Sequence, residues 1–147
     1  MNYDELIQQG YHISTDKDLL DFDMMFNYLS EESYWSKGIK AEVLRKGIDN
    51  AMNFGVYHDK KQIGYAKVVT DKATFAYLAD VFILEQYRGL GLSKWLMQTI
   101  KEHPDLQGLR RWMLGTADAH GLYTQFGFGP ISNPERWMQI FSPYKTQ

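Results

Sequence analysis

A short loop with two glycines, residues 86–91, joins an apolar stretch to a helix-forming stretch of this chain. Phe82 to Leu84 are typical of a buried strand, and Leu92 begins a helical pattern. Backbone N–H groups at a helix N-terminus are unpaired and partly positive, and glycine lets a ligand come close to them. The pattern therefore predicts a cradle for an anionic group, with an ordinary turn as the alternative. The loop lacks the lysine of a phosphate-binding P-loop and the third glycine of a dinucleotide fingerprint.

Three side chains could move protons. Asp80 interrupts an apolar strand, so its carboxylate must be paired, protonated or turned to a cleft. Tyr123 holds its proton at neutral pH, because a free tyrosine titrates near pH ~10. His120 has a side chain whose ordinary pKa suits proton transfer near neutrality. For each of them the alternative is a structural role, and no spacing of histidine and acidic residues suggests a metal site, so we expect no metal.

Composition narrows the class of protein. The 147 residues are 44% hydrophobic with a formal net charge of −2, which is typical of one globular domain spanning residues 1–147. That charge gives no electrostatic case for nucleic acid, and no apolar run approaches the ~20 residues of a membrane span. Cysteine is absent, which excludes thiolate chemistry and suits a cytoplasmic protein.

The elements that must position these residues follow from hydrophobic periodicity. We predict a fold of mixed α and β structure in the order β-α-α-β-β-β-α-β-α-β. The predicted strands are 11–14, 53–57, 62–70, 74–84, 110–115 and 136–141. The predicted helices are 16–33, 41–52, 92–103 and 119–126, the last one closed by Gly127.

Two segments resemble the signatures of one family. Gln86-Tyr87-Arg88-Gly89-Leu90-Gly91 matches the Gln/Arg-x-x-Gly-x-Gly/Ala signature of the GNAT acetyltransferase superfamily. The segment 119–128, with Tyr123 before Gly127-Phe128, resembles the family's second motif. The resemblance implies an α/β (α+β) GNAT fold with a mixed, mostly antiparallel sheet of about six to seven strands flanked by about four helices.

The resemblance also implies acetyl-CoA as co-substrate and gives its contacts. The backbone of Phe82 and Ile83 would pair with the pantetheine arm, in a slot where the strands 74–84 and 110–115 splay apart. The implied cofactor-binding residues also include Gln86, Arg88, Gly89, Leu90, Gly91, Leu92, Ser93, Lys94 and Thr116, although many relatives carry Asn at the last position. Tyr123 would face the sulfur as general acid, and Asp80 or His120 would serve as base or amine ligand.

Acceptor binding is expected in the loop between the first two long predicted helices. Tyr34, Trp35 and Lys37 are aromatic and polar residues at a helix break, and they either line a substrate pocket or form a lid over the core. The leading hypothesis is an acetyl-CoA-dependent N-acetyltransferase that acts on a primary amine of a small molecule by direct attack in a ternary complex. The alternative is a non-catalytic GNAT-fold sensor or interaction module that binds acyl-CoA. The family analogy also allows a homodimer through the last strands.

Overall fold

The chain forms a five-stranded mixed sheet with helices on both faces, in a computed structural model that describes residues 2–145. The strands are β1 (Tyr11–Ser14), β2 (Met52–His58), β3 (Lys61–Thr70), β4 (Phe75–Ile83) and β5 (Arg111–Met113). The α-helices are α1 (Asp4–Gln8), α2 (Phe22–Asn27), α3 (Ala41–Asp49), α4 (Leu92–Glu102) and α5 (His120–Thr124). Among these residues, no helix has the length and apolar character that a membrane span requires.

The strands lie in the sheet in their order along the chain. β1 to β4 are antiparallel neighbours, while β5 lies parallel to β4. A parallel neighbour needs a long crossover connection, and α4 makes that crossover. The arrangement confirms the mixed, mostly antiparallel α/β fold, with five strands rather than six or seven and with one helix more than expected.

Two apolar clusters cover the two faces of the sheet. Strand residues such as Phe54 and Val56 pack with Leu96 and Ile100 of α4. On the opposite face, the buried cluster is Met25, Tyr28, Leu29, Ile39, Leu44, Ile48, Tyr65 and Phe82. Because successive residues of a strand point to opposite faces, the central strands carry continuous runs of buried residues instead of an alternating pattern.

The predicted strand 136–141 is wrong. Residues 134–136 form a 3₁₀ turn, and the chain beyond it is neither helix nor strand as far as residue 145. Met138 and Ile140 are 97% and 101% exposed, so the apolar side of the alternating pattern meets no sheet. Alternation makes a strand only where a neighbouring strand supplies hydrogen-bond partners, and this segment has none within residues 2–145.

The predicted helix 16–33 is three pieces instead of one. A 3₁₀ turn (Lys17–Leu19) and α2 each begin at an aspartate whose side chain accepts a backbone N–H, Asp16 from Asp18 and Asp21 from Met24. A π-helical turn, Tyr28–Glu32, then ends the segment. The two aspartates restart the backbone hydrogen-bonding pattern, so the apolar periodicity alone joined segments that are separate.

Candidate active site

The sheet opens between β4 and β5. Their pairing stops at Tyr77 and Met113, although β4 continues as far as Ile83. The gap that remains holds a cavity of about 130 Å³. Its walls include Leu78, Ala79, Asp80 and Val81 from β4 and Leu114, Gly115 and Thr116 from the chain after β5. This is the separation of strands that the family resemblance implied.

The register of β3 and β4 decides which backbone groups face this gap. The N–H of Leu84 donates to the carbonyl of Ile63, so that residue pair is hydrogen-bonded. Backbone groups alternate in direction along an antiparallel ladder, which turns those of Phe82 towards β3 and those of Ile83 towards the gap. Of the two residues whose backbone was expected to contact the pantetheine arm, only Ile83 has backbone groups that face the gap, while those of Phe82 are paired with β3.

Asp80 lies at an irregularity of β4 and has a left-handed backbone conformation. Its φ is +55°, and the register between β3 and β4 shifts between Tyr65 and Lys67. An extra residue of this kind bends a strand and redirects a side chain. The Asp80 side chain is buried and lines the gap.

Three donors from two parts of the chain, the loop after α2 and strand β3, converge on the Asp80 carboxylate. Oδ1 accepts a hydrogen bond from the Trp35 indole nitrogen at 2.9 Å and one from the Ser36 hydroxyl at 3.1 Å. Oδ2 lies 3.0 Å from the ammonium of Lys67. Both oxygens are therefore occupied, which supports the structural alternative for Asp80 over the role of base. Ser36 and Lys67 were not predicted as site residues, because only the strand register and the loop conformation bring them to Asp80.

Tyr123 lies on α5 and lines the same gap. It is buried, with its ring edge-to-face against Phe128 at a centroid distance of 6.0 Å. Burial raises the pKa of Tyr123 to about 12, and the neighbouring Tyr34 and Asp118 add to the increase. The phenol therefore keeps its proton throughout the neutral and moderately alkaline range.

The glycine loop has the backbone conformation that its sequence suggested. Gly89 and Gly91 have φ values of +83° and +87°, and Gly91 is the N-cap of α4. A Cβ added at either glycine would meet no atom within 4 Å, so the space beside the loop is open. Within residues 2–145, none of the N–H groups from Gly89 to Lys94 donates to another group, and the first to do so is that of Trp95, to the Gly91 carbonyl. These groups are free to bind an anion, and Leu90, Leu92 and Ser93 contribute to the set.

Gln86 and Arg88, in the first half of the glycine loop, lie on the side of α2. The Arg88 guanidinium donates to the carbonyl of Ile83 at 2.9 Å and to the hydroxyl of Tyr28 at 3.1 Å. Both acceptors are neutral, so the positive charge of Arg88 is not cancelled by them. Gln86 is exposed, and Lys94 is half-buried in the first turn of α4.

The loop of Tyr34, Trp35 and Lys37 lies across the mouth of the gap. The Tyr34 hydroxyl accepts a hydrogen bond from the N–H of Ala117 at 2.9 Å, which ties this loop to the chain after β5. Here a larger cavity of about 850 Å³ adjoins the gap and shares several of its lining residues. Part of its wall comes from the segment of Phe141, Ser142, Pro143 and Tyr144, which the sequence did not indicate.

His120 lies outside the gap, whereas Thr116 lines it. His120 is exposed at the start of α5 and lines a cavity of about 390 Å³ beside β5 that Asp80 does not line. The Thr116 hydroxyl accepts the N–H of Ala119 at 3.0 Å and so supports the start of α5. Asp118, which was not among the predicted site residues, lines the gap beside Tyr123. Within residues 2–145, no three histidine or acidic side chains are grouped to hold a metal ion.

A split sheet, a glycine loop at the start of a helix and a buried tyrosine beside the split define an acyltransferase of the GNAT class. Residues 22–128 match the model of the acetyltransferase (GNAT) family, and the chain therefore belongs to this family.

Its relatives agree with this assignment. A Gibberella zeae protein named as a candidate acetyltransferase is 33% identical, over 77% of this chain and 75% of its own. The crystal structure of a candidate GNAT acetyltransferase from Xanthomonas campestris pv. campestris is 46% identical, with a TM-score of 0.90 over 92% of this chain and 97% of that one. A candidate acetyltransferase from Clostridium acetobutylicum, whose crystal structure is with acetyl-CoA, shares the fold at 11% identity, with a TM-score of 0.63 over 89% of this chain and 94% of that one.

The role of the glycine loop is tested by Gly89→Glu. A glutamate there places bulk and negative charge into the cradle, so acetyl-CoA should no longer raise the melting temperature in differential scanning fluorimetry. Gly108→Glu is the matched control, because Gly108 also has a positive φ, +73°, and open space for an added Cβ, but precedes β5 and so lies at the end of the parallel β4–β5 pair opposite to the glycine loop. Equal thermal shifts in the two variants would contradict an anion cradle at Gly89.

Proposed function

We propose that this chain is an acetyl-CoA-dependent N-acetyltransferase that acetylates a primary amine of a small molecule. The observation that carries the proposal is that the buried Tyr123 lines a gap in the sheet that adjoins the larger cavity on one side. On the other side β4 leads directly into the glycine loop and α4. A donor held at the loop and an acceptor held in the cavity would meet at Tyr123.

The residues of the loop fit an anionic cofactor such as acetyl-CoA. The unpaired N–H groups from Gly89 to Lys94 and the open space beside both glycines suit a pyrophosphate. The Ile83 N–H faces the gap, where it can donate to the pantetheine arm. The relative from Clostridium acetobutylicum that contains acetyl-CoA supports the same cofactor for this fold. Bound acetyl-CoA supplies an acetyl group activated as a thioester.

Two residues of the gap are assigned to the two proton transfers of the reaction, one to the leaving sulfur and one from the attacking amine. The neutral amine of the acceptor forms the new C–N bond to the acetyl carbon as the C–S bond breaks. Tyr123, which remains protonated, donates its proton to the departing sulfur. Asp118 lines the gap beside Tyr123, and among the described residues no donor occupies its carboxylate, so we assign it the proton of the amine. Direct attack suits a chain that lacks cysteine.

An amine panel tests the function itself. Incubation of the protein with acetyl-CoA and a set of primary amines should release free CoA and yield N-acetylated product, detected by mass spectrometry. Acetyl-CoA binding without product on any amine would favour the non-catalytic sensor or interaction module instead.

Tyr123→Phe tests the general acid. Removing the phenol proton should lower kcat about a hundredfold, since general acid catalysis contributes a factor of that order. The affinity for acetyl-CoA should not change. Tyr57→Phe is the control, because its hydroxyl is also buried and has no hydrogen-bond partner among the described residues. Wild-type kcat in Tyr123→Phe would remove the assigned role.

The raised pKa of Tyr123 predicts the shape of the pH–rate profile. The rate should rise with pH as the amine loses its proton, and a tyrosine with a pKa of about 12 stays protonated over that range. We therefore expect no decrease of kcat up to pH ~10.5, whereas a tyrosine at its ordinary value would be half ionised near pH ~10. Initial rates corrected for spontaneous thioester hydrolysis measure this, and a decline centred near the ordinary value would contradict the assignment.

We also propose that a second copy of the chain covers the C-terminal segment 137–141. Met138, Ile140 and Phe141 are exposed apolar side chains in one segment that is neither helix nor strand, and β5 is the last strand of the sheet. An extended apolar segment and an unpaired strand edge on the same chain are complementary between two copies. Light scattering should give the mass of a dimer, and Met138→Lys with Ile140→Lys should give a monomer, unlike the control Ile7→Lys. A wild-type monomer would overturn this.

A further inference from the structure

The 850 Å³ cavity contains few charged groups, and their sum is positive. Its charged lining residues within the described chain are Lys37, Lys67 and Asp80. The Lys67 ammonium lies 3.0 Å from the Asp80 carboxylate, so these two charges cancel locally. Lys37 is exposed and forms no ion pair within residues 2–145.

The acid of the cavity is not available to a cationic ligand. Three donors occupy the Asp80 carboxylate, and its side chain is only 7% exposed. A second ammonium group, as in a polyamine, would have to displace Lys67 or the Trp35–Ser36 loop to reach it. Burying an ammonium without a partner is costly, so the cavity opposes ligands with an additional positive charge.

The cavity walls are aromatic, and two of these rings are held in place. Trp35 is anchored by its indole N–H on Asp80, and Tyr34 by its hydroxyl on the backbone of Ala117. The two rings lie edge-to-face at a centroid distance of 5.0 Å. Tyr77, Phe141 and Tyr144 complete the aromatic lining. Pre-oriented flat surfaces of this kind suit a planar apolar body, which loses little conformational freedom on binding.

We infer that the acceptor is a primary amine with an aromatic body and a carboxylate, the ring lying against Tyr34 and Trp35 and the carboxylate directed to Lys37. This inference rests on the proposed acetyltransferase function and names the class of acceptor that the 850 Å³ cavity would bind. Aromatic walls also attract cations, but here a cation would meet Lys37 and Lys67, with no unpaired carboxylate among the described residues of the cavity wall. The Asp118 carboxylate lies in the adjoining gap, where it faces the reacting amine rather than the far end of the ligand.

Three amines that share a benzylamine core separate these possibilities. 4-(Aminomethyl)benzoate, benzylamine and para-xylylenediamine present the same reacting group and ring, with a carboxylate, a hydrogen or a second ammonium at the far end. The wild-type kcat/KM should decrease in that order, by about threefold or more per step for a charge that is partly exposed to water. Acetylation rates at saturating acetyl-CoA give the values.

Reversing the charge at Lys37 tests whether this residue causes the preference for a carboxylate. Lys37→Glu should invert the order, so that the diamine becomes the best substrate, and Lys37→Arg should keep it. Lys40→Glu is the matched control, because Lys40 is also an exposed lysine but does not line the cavity.

The possible outcomes separate the inference from the function it rests on. Three results would overturn the inference while leaving the proposed acetyltransferase function intact. These are equal kcat/KM values for the three amines, a wild-type preference for the diamine, and an order of substrates that Lys37→Glu does not change. Failure to acetylate any amine, although acetyl-CoA binds, overturns the proposed function.

Discussion

The buried carboxylate of Asp80 joins the parts of this protein that must meet at its site. It lies in β4 with a left-handed backbone conformation, and it accepts from Trp35, Ser36 and Lys67, which belong to a loop and to β3. Removing one partner of a buried ion pair typically costs about 3–5 kcal/mol, because it leaves an uncompensated charge. The Asp80 carboxylate therefore helps to hold the loop of Tyr34, Trp35 and Lys37 in place, together with the hydrogen bond from the Ala117 N–H to the Tyr34 hydroxyl.

The gap in the sheet is the second constraint, and it comes from unequal strand lengths. β5 has three residues where β4 has nine, so the second half of β4 has no partner on that side. Unpaired backbone groups inside a protein are unfavourable unless a ligand or water satisfies them. The Ile83 carbonyl is satisfied by Arg88, which also reaches Tyr28 beside α2 and so connects the glycine loop to the other face of the sheet. Arg88 therefore links the glycine loop to the end of β4 and to the residues beside α2.

Prediction from sequence succeeded where the signal was local. The positive φ values of Gly89 and Gly91 follow from residue type, and the start of α4 follows from the periodicity after the loop. Boundaries were less accurate, since the extended backbone of Leu20 and Asp21 interrupts what the apolar pattern joined into one helix. The prediction of a strand at 136–141 was wrong because a strand needs a second segment to pair with, and an alternating pattern describes only one segment.

The sequence by itself determined the family and the positive-φ glycine loop before α4, and it singled out Tyr123, because each depends on residues within a few positions of one another. Only the tertiary structure decided the role of Asp80, since Lys67 and Trp35 are distant in the chain and the strand register brings the lysine to it. The tertiary structure likewise brought Phe141 and Tyr144 into the wall of the 850 Å³ cavity. Contacts between distant segments depend on packing and on the loss of chain entropy on folding, and no local pattern encodes them.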